Sequence, residues 1–185
     1  VIYQDIRLFP WMTAMENVNF ALENKGLSRG EVKKIGNEWM DLIGINRFAD
    51  KYPSELSEGQ RQMIGVTRVL ALDPTIVLCD EPFSSLDWHT RNYLQIQLLK
   101  YWHKNKKTVL FVTHDIEEAV YLSQEVLVMS ARPGKIKEAV KINLSDKRWE
   151  VQRDHPKVIK NASYIADILA EELKKGRKLE KEEGY

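Results

Sequence analysis

The stretch Thr75-Ile76-Val77-Leu78-Cys79-Asp80-Glu81-Pro82 decides how this chain is read. Its β-branched and apolar residues form a short unbroken run, the pattern of a strand buried on both faces. Asp73-Pro74 ends whatever helix precedes it, because proline donates no ladder hydrogen bond and restricts the residue before it. Asp80 and Glu81 close the run. Two carboxylates therefore leave a buried strand at its carboxyl end, where open parallel sheets bind their ligands. One of them can polarise an attacking water as a general base. The plainer alternative is a strand-to-loop boundary with solvated acids, and the strand by itself does not separate the two.

Working outward, residues 108–113 form another apolar strand, 126–129 a third, and 135–142 alternate in the manner of a more exposed one. A helix opened by Asp87, with Tyr93, Leu94, Ile96, Leu98 and Tyr101, separates the first two, and one over 116–122 the next pair. Apolar strands alternating with helices predict a parallel α/β sheet covered on both faces. Upstream, Thr13-Ala14-Met15-Glu16, Ser28-Arg29-Gly30-Glu31 and Ser57-Glu58-Gly59-Gln60 are three capping boxes. In each, the hydroxyl and the acid or amide satisfy backbone donors that a helix start leaves open. The first helix carries Met15, Val18, Asn19 and Leu22 and stops near Gly26. The second carries Val32, Ile35, Trp39, Leu42 and Ile43 on one face and ends at Gly44, and the third reaches about Leu72. After Ser145 comes one more amphipathic helix (Val158, Ile159, Ile165, Ile168, Leu169, Leu173), then a mixed-charge tail, 174–184, expected to be solvated or disordered.

The 185 residues, 43% of them hydrophobic, suit one domain or one domain with a subdomain. With 28 Lys and Arg against 27 Asp and Glu, the net charge is +1. A nucleic-acid-binding module would carry a basic excess or stripe, so none is expected here. No apolar run approaches the ~18 residues of a membrane span. The lone Cys79 cannot form an internal disulfide and is expected in the core, and no signal-peptide pattern is present, which together favour a cytoplasmic setting. The chain opens with Val1 inside an apolar segment, which suggests a fragment. His89, His103 and His155 have no zinc-ligand spacing. Trp39, Trp88, Trp102 and Trp149 read as packing residues, whereas Trp11, beside Pro10 in an apolar loop, suits a partner contact.

Leu56-Ser57-Glu58-Gly59-Gln60 combines a hydroxyl, a glycine and free amides at a positive helix end, a platform for phosphate. Standing alone it is equally a plain N-cap. Ser84-Ser85-Leu86-Asp87 and then Val112-Thr113-His114-Asp115 follow the acidic strand. The strand itself resembles the Walker B element of P-loop nucleotidases. The whole order of Gln4, 56–60, 76–81, 84–87 and His114 resembles the nucleotide-binding subunit of an ATP-binding-cassette (ABC) transporter, over about residues 1–142. Leu8-Phe9-Pro10-Trp11, Asp80-Glu81-Pro82-Phe83, Thr90-Arg91, 115–120 and Ser130-Ala131-Arg132-Pro133-Gly134 are similar to importers of the nitrate/sulfonate/taurine type, a group that includes carriers of thiamine-pyrimidine precursors.

The resemblance implies a role for each position. Asp80 would hold Mg²⁺, Glu81 would act as general base, and His114 would contact the γ-phosphate. Gln4 would reach the metal and the attacking water. Ser57, Gly59 and Gln60 would bind the γ-phosphate of ATP held by the opposite subunit, and Asp87 would touch that subunit's phosphate loop. The implied fold is α/β, part of a RecA-like parallel sheet of the P-loop NTPase type with a helical subdomain and a C-terminal helical extension. Residues 1–10 and 57–144 would belong to the RecA-like core, 11–56 to the helical subdomain that relays closure, and 145–185 to the extension and tail. Its partners would be a second such subunit, an integral membrane permease met through the loop up to Trp11, and indirectly an external substrate-binding protein, at the cytoplasmic face of the membrane. The implied activity is ATP hydrolysis driving import of a small anion or similar nutrient.

Two departures stand against the pattern. Glu58 occupies a position where the family usually has glycine, and its place in the capping box gives its carboxylate a reason to turn away from a triphosphate. No stretch matches G-x-x-x-x-G-K-[ST]: no two of the nine glycines stand five apart, and Gly134-Lys135 is followed by Ile136. Nothing here therefore wraps the β-phosphate or supplies its lysine, and the fragment is expected to be inactive by itself. The alternatives are a soluble, non-transport ABC ATPase and a non-catalytic partner that lends only residues 57–60. The loop at 8–11 and the Ala131-Arg132-Pro133-Gly134 phrase count against the first.

Overall fold

The computed structural model describes the backbone of residues 1–182 and side chains through residue 175. The chain divides into two compact units, Val1–Val112 and Thr113–Tyr185. In the first, helices α1 (Ala14–Glu23), α2 (Arg29–Leu42) and α3 (Glu58–Ala71) pack against one another. Each begins where its capping box lies. Glu16 N donates to Thr13 Oγ1 while Thr13 N donates to Glu16 Oε2, and Ser28/Glu31 and Ser57/Gln60 repeat the exchange. Val18, Leu22, Val32, Met40, Ile43, Ile64, Val66 and Leu70 are buried in this unit's core. Leu42, expected on the inner face of α2, is 55% exposed; the buried stripe is Val32, Gly36 and Met40, continued by Ile43.

Strand β1 (Ile76–Asp80) pairs in parallel with β2 (Thr108–Val112), from Ile76 opposite Thr108 to Asp80 opposite Val112. Helix α4 (Trp88–Asn105) connects them, N-capped by Asp87. On the other side of β1, Ile2 forms a single parallel bridge to Cys79. Ile2 N donates to Leu78 O at 2.7 Å and Asp80 N to Ile2 O at 2.9 Å. Val77 and Cys79 are buried, as their strand pattern predicts. The opposite face differs from expectation, because Ile76, Leu78, Leu110 and Val112 are all 41–58% exposed. An unbroken apolar run records a preference for burial on both sides of the pleat, and the described residues fill one side only. Trp88, expected to pack, is 62% exposed at the start of α4.

The second unit is built separately. Helix α5 (Ile116–Leu122) is followed by β3 (Glu125–Met129) and β4 (Ile136–Lys141), an antiparallel pair, and by the long α6 (Pro156–Glu182). Among the described residues β3 pairs only with β4, so the third parallel strand expected from sequence is half of a hairpin. Antiparallel pairing follows from the short connection, since a parallel partner needs a long crossover. Val120, Val128, Val140, Ile142, Val158, Ile165 and Ile168 form this unit's core. Ile159 and Leu173, assigned to the inner face of α6, are 56% and 63% exposed. The tail, expected to be solvated or disordered, continues α6 as far as Glu182; its remaining residues lie outside the described ones.

Polar contacts fasten the unit where the sequence gave no signal. Arg148 is buried, and its guanidinium donates to Leu122 O at 3.1 Å and Ile142 O at 3.5 Å, while Tyr121 Oη donates to Arg148 O. Glu172 of α6 accepts from Lys137 Nζ at 2.7 Å, Lys175 Nζ at 2.9 Å and Ala131 N at 3.2 Å. The hydrogen bonds from Lys137 and Lys175 pull its carboxyl from the ordinary 4.5 to about 2. A depressed carboxyl stabilises the fold above its unfolded value and ceases to do so as pH falls through its folded value. Protection of α6 amides against hydrogen exchange should therefore decline as pH drops from about 4.5 toward about 2. Glu172→Gln should lower that protection at neutral pH and flatten the pH dependence.

Candidate functional site

Parallel pairing sets which residues emerge together. With Ile2 opposite Cys79, the backbone at Gln4 and at Glu81 leaves the same edge of the sheet, one residue beyond Asp80. Ile6 fastens the segment that follows Gln4, since a Cβ on the buried Gly65 of α3 would collide with its side chain. Glu81 has φ +43°, a left-handed conformation that costs a non-glycine residue energy and recurs at functional sites. Its N donates to Val112 O at 3.0 Å, and its carbonyl accepts from Ser84 N at 3.3 Å and Ser84 Oγ at 3.0 Å. The chain thus reverses directly after the strand, leaving Asp80 exposed and Glu81 half-buried.

The loop after Gln4 is preformed. Asn17, fully buried in α1, accepts from Phe9 N at 2.8 Å and donates to Phe9 O, Met12 O and Thr13 O at 3.2, 3.1 and 2.9 Å. The Phe9 ring packs edge-on against Phe20 (4.8 Å between centroids) and against Trp11 (5.5 Å), which is left 69% exposed. Removing a buried amide that satisfies four backbone groups costs about 1–3 kcal/mol. Asn17→Ala should lower unfolding free energy by about that much, read by urea denaturation.

Residues 57–60 line a cleft of about 700 Å³, together with Asp87, Leu86 and Thr90 across from them and Gly44, Arg47, Phe48 and Tyr93 at its margin. Ser57 Oγ and Gln60 Oε1 are engaged in their mutual cap, at 3.3 and 2.9 Å. A Cβ on Gly59 would lie 3.3 Å from Thr90 Cγ2, so glycine lets the start of α3 approach α4. Asp87 Oδ1 accepts from Thr90 N at 3.1 Å, and its hydrogen bonds with Thr90 hold the carboxyl below the ordinary range. Glu58 requires a correction. The reciprocal pair is Ser57 with Gln60, so the capping box does not engage Glu58, which is exposed and lines the cleft. Arg47 is the cation among these lining residues, its guanidinium 4.7 Å over the Phe48 ring.

Two side chains have positioning roles that the sequence reading did not give them. Arg91 of α4 donates through Nε to Phe83 O at 3.1 Å and through Nη2 to Ser84 O at 3.4 Å and Leu86 O at 2.8 Å, which fixes the loop leading to Asp87. Gln62 of α3, 2% exposed, donates through Nε2 to Pro82 O and, at 3.5 Å, to Tyr3 O. Its signal was a polar residue on the helix face that also carries Val66 and Leu70. The structure thus gathers Gln4, Asp80 and Glu81 at one sheet edge and Ser57, Gly59, Gln60 and Asp87 around one cleft. His114 belongs to the second unit, in the turn before α5, where Thr113 Oγ1 accepts from Asp115 N and Asp115 Oδ1 from Glu118 N.

A parallel-sheet edge bearing paired acids, and a capped helix start that lines a cleft, make an α/β architecture of a kind that binds phosphate. The comparisons make it specific. Residues 1–84 match the family described as ABC transporter. The chain is 47% identical to the uncharacterized ABC transporter ATP-binding protein MJ0412 of Methanocaldococcus jannaschii, over 96% of this chain and 66% of that protein. It is 35% identical to the nitrate import ATP-binding protein NrtD of Synechocystis, over 99% of this chain and 69% of that protein. Among solved structures, the dimeric ATP-binding cassette MJ0796 bound to ADP and Pi, in a post-hydrolysis state, superposes with TM-score 0.68 at 32% identity, covering 78% of this chain and 62% of that one. This chain belongs to the ABC transporter ATP-binding family, with the P-loop NTPase fold. It spans 60–66% of the length of the curated relatives it matches first.

Proposed function

We propose that this chain is part of the ATP-hydrolysing subunit of an ABC importer, with uptake of a small anion of the nitrate or sulfonate kind as its cargo class. The observation that carries the reading is the backbone register that brings Gln4, Asp80 and Glu81 to one carboxyl edge of the sheet. Similarity to a cassette bound to ADP and Pi supports the nucleotide, and similarity to a nitrate import ATP-binding protein supports the direction of transport. No G-x-x-x-x-G-K-[ST] phosphate loop occurs in these 185 residues.

The donor set fits Mg²⁺. It is a hard cation that keeps several waters and takes one or two protein oxygens plus phosphates. Asp80 offers an exposed carboxylate, one of the few protein ligands such an ion takes. Asp80 would hold the ion, largely through water, with the Gln4 amide beside it. When bound, the ion neutralises and orients the β- and γ-phosphates. Glu81 takes the proton of the attacking water, and its half-buried carbonyl-anchored turn keeps the carboxylate at the edge. Ser57, Gly59 and Gln60 receive the γ-phosphate presented by a second copy, Asp87 meets that copy's phosphate loop, and His114 stabilises the charge that develops. A head-to-tail pair closes on ATP and reopens after hydrolysis.

Among the described residues no helix is long and apolar enough to cross a membrane. In this reading attachment at the cytoplasmic face runs through a permease, and the preformed loop carrying exposed Trp11 is the contact. In the complete ATPase, Glu81→Gln should lower kcat by about 10²–10⁴-fold while ATP binding persists. Hydrolysis at the unsubstituted rate refutes the assignment. Trp11→Ala should reduce co-purification with a polytopic membrane subunit, and unchanged co-purification overturns the docking role.

A further inference from the structure

The buried side chain of Gln62 has no part in the chemistry above, yet it lies between both halves of the site. It leaves α3 half a turn after Gln60, so it moves with the segment that lines the cleft. Its amide nitrogen donates to Pro82 O, the residue after Glu81, and to Tyr3 O, the residue before Gln4. With 2% exposure it makes these bonds away from water, where an unpaired carbonyl is costly and a paired one is held tightly.

We propose that Gln62 is a positioning residue that ties the cleft at residues 57–60 to the hydrolytic edge of the same subunit. The proposal rests on the functional reading above. When a second copy's nucleotide engages the first turn of α3, any shift of that helix is passed by one amide to the backbone flanking both Gln4 and Glu81. Gln62 touches neither nucleotide nor water; it sets where the two residues that do so stand. A strut with one donor group and two acceptors on different segments favours one relative placement of all three, which is how a catalytic geometry is made dependent on occupancy at a distance.

The test uses the complete ATPase with Gln62→Met, which keeps length and apolar volume and removes the N–H donor. The expected result is a fall in kcat of at least tenfold with KM for ATP within about twofold. ATP-driven self-association, measured in a Glu81→Gln background, should match that of Glu81→Gln alone. A residue that merely supports the fold would not split the parameters this way. Unchanged kcat overturns the proposal, and so does a loss of kcat accompanied by loss of self-association. Should Gln62→Met not fold, Gln62→Leu, which also removes the donor and stays apolar, carries the same expectations. If Glu81→Gln itself leaves hydrolysis intact, the functional reading fails first, and that outcome is distinct from an inert Gln62.

Discussion

Two backbone hydrogen bonds, from Ile2 N to Leu78 O and from Asp80 N to Ile2 O, govern what the rest of the first unit can do. They lock the opening segment onto β1 in parallel. Every residue that follows Ile2 is thereby delivered to the edge at which β1 ends. A one-residue slip would exchange the faces of the strand and bury Asp80 in place of Cys79. The register is protected because Ile2, Val77 and Cys79 are all buried. Their burial fixes the alternation, and the alternation fixes the acids.

The cleft obeys a different logic, one of helix ends. The starts of α3 and α4 present backbone amides, and each is partly satisfied from within, by Ser57 with Gln60 and by Asp87 with Thr90. What remains is a positively polarised but nearly closed pair of termini, bordered by one guanidinium and by the Glu58 and Asp87 carboxylates. Charge balance there is finer than the usual glycine at position 58 would make it, because a carboxylate close to phosphate is repulsive unless a cation or metal intervenes.

Local chemistry was legible in the sequence. The capping boxes at Thr13, Ser28 and Ser57 closed as written, since each depends on residues three apart and a backbone that must begin a helix somewhere. Strands 76–80 and 108–112 were equally plain. What could not be read was non-local. Leu42, Ile159 and Leu173 are apolar residues whose helices bury a neighbouring stripe, and hydrophobicity does not say which way a helix is rotated. The separate β3–β4 hairpin follows from the short connection between its strands, which their apolar content does not record. Gln62 and Arg148 are polar yet buried, because carbonyls from distant segments converge on each. Glu58 was misjudged because a motif's outline was taken to bind all four of its members, whereas geometry engages the first and last.

The left-handed turn at Glu81 bears on how this protein could be engineered. Asparagine or glycine would sit there more comfortably, and any screen that rewards thermal tolerance will drift toward them. On the role proposed above for Glu81, such a winner would be sturdier and inert, so a screen at this position has to score turnover alongside melting temperature.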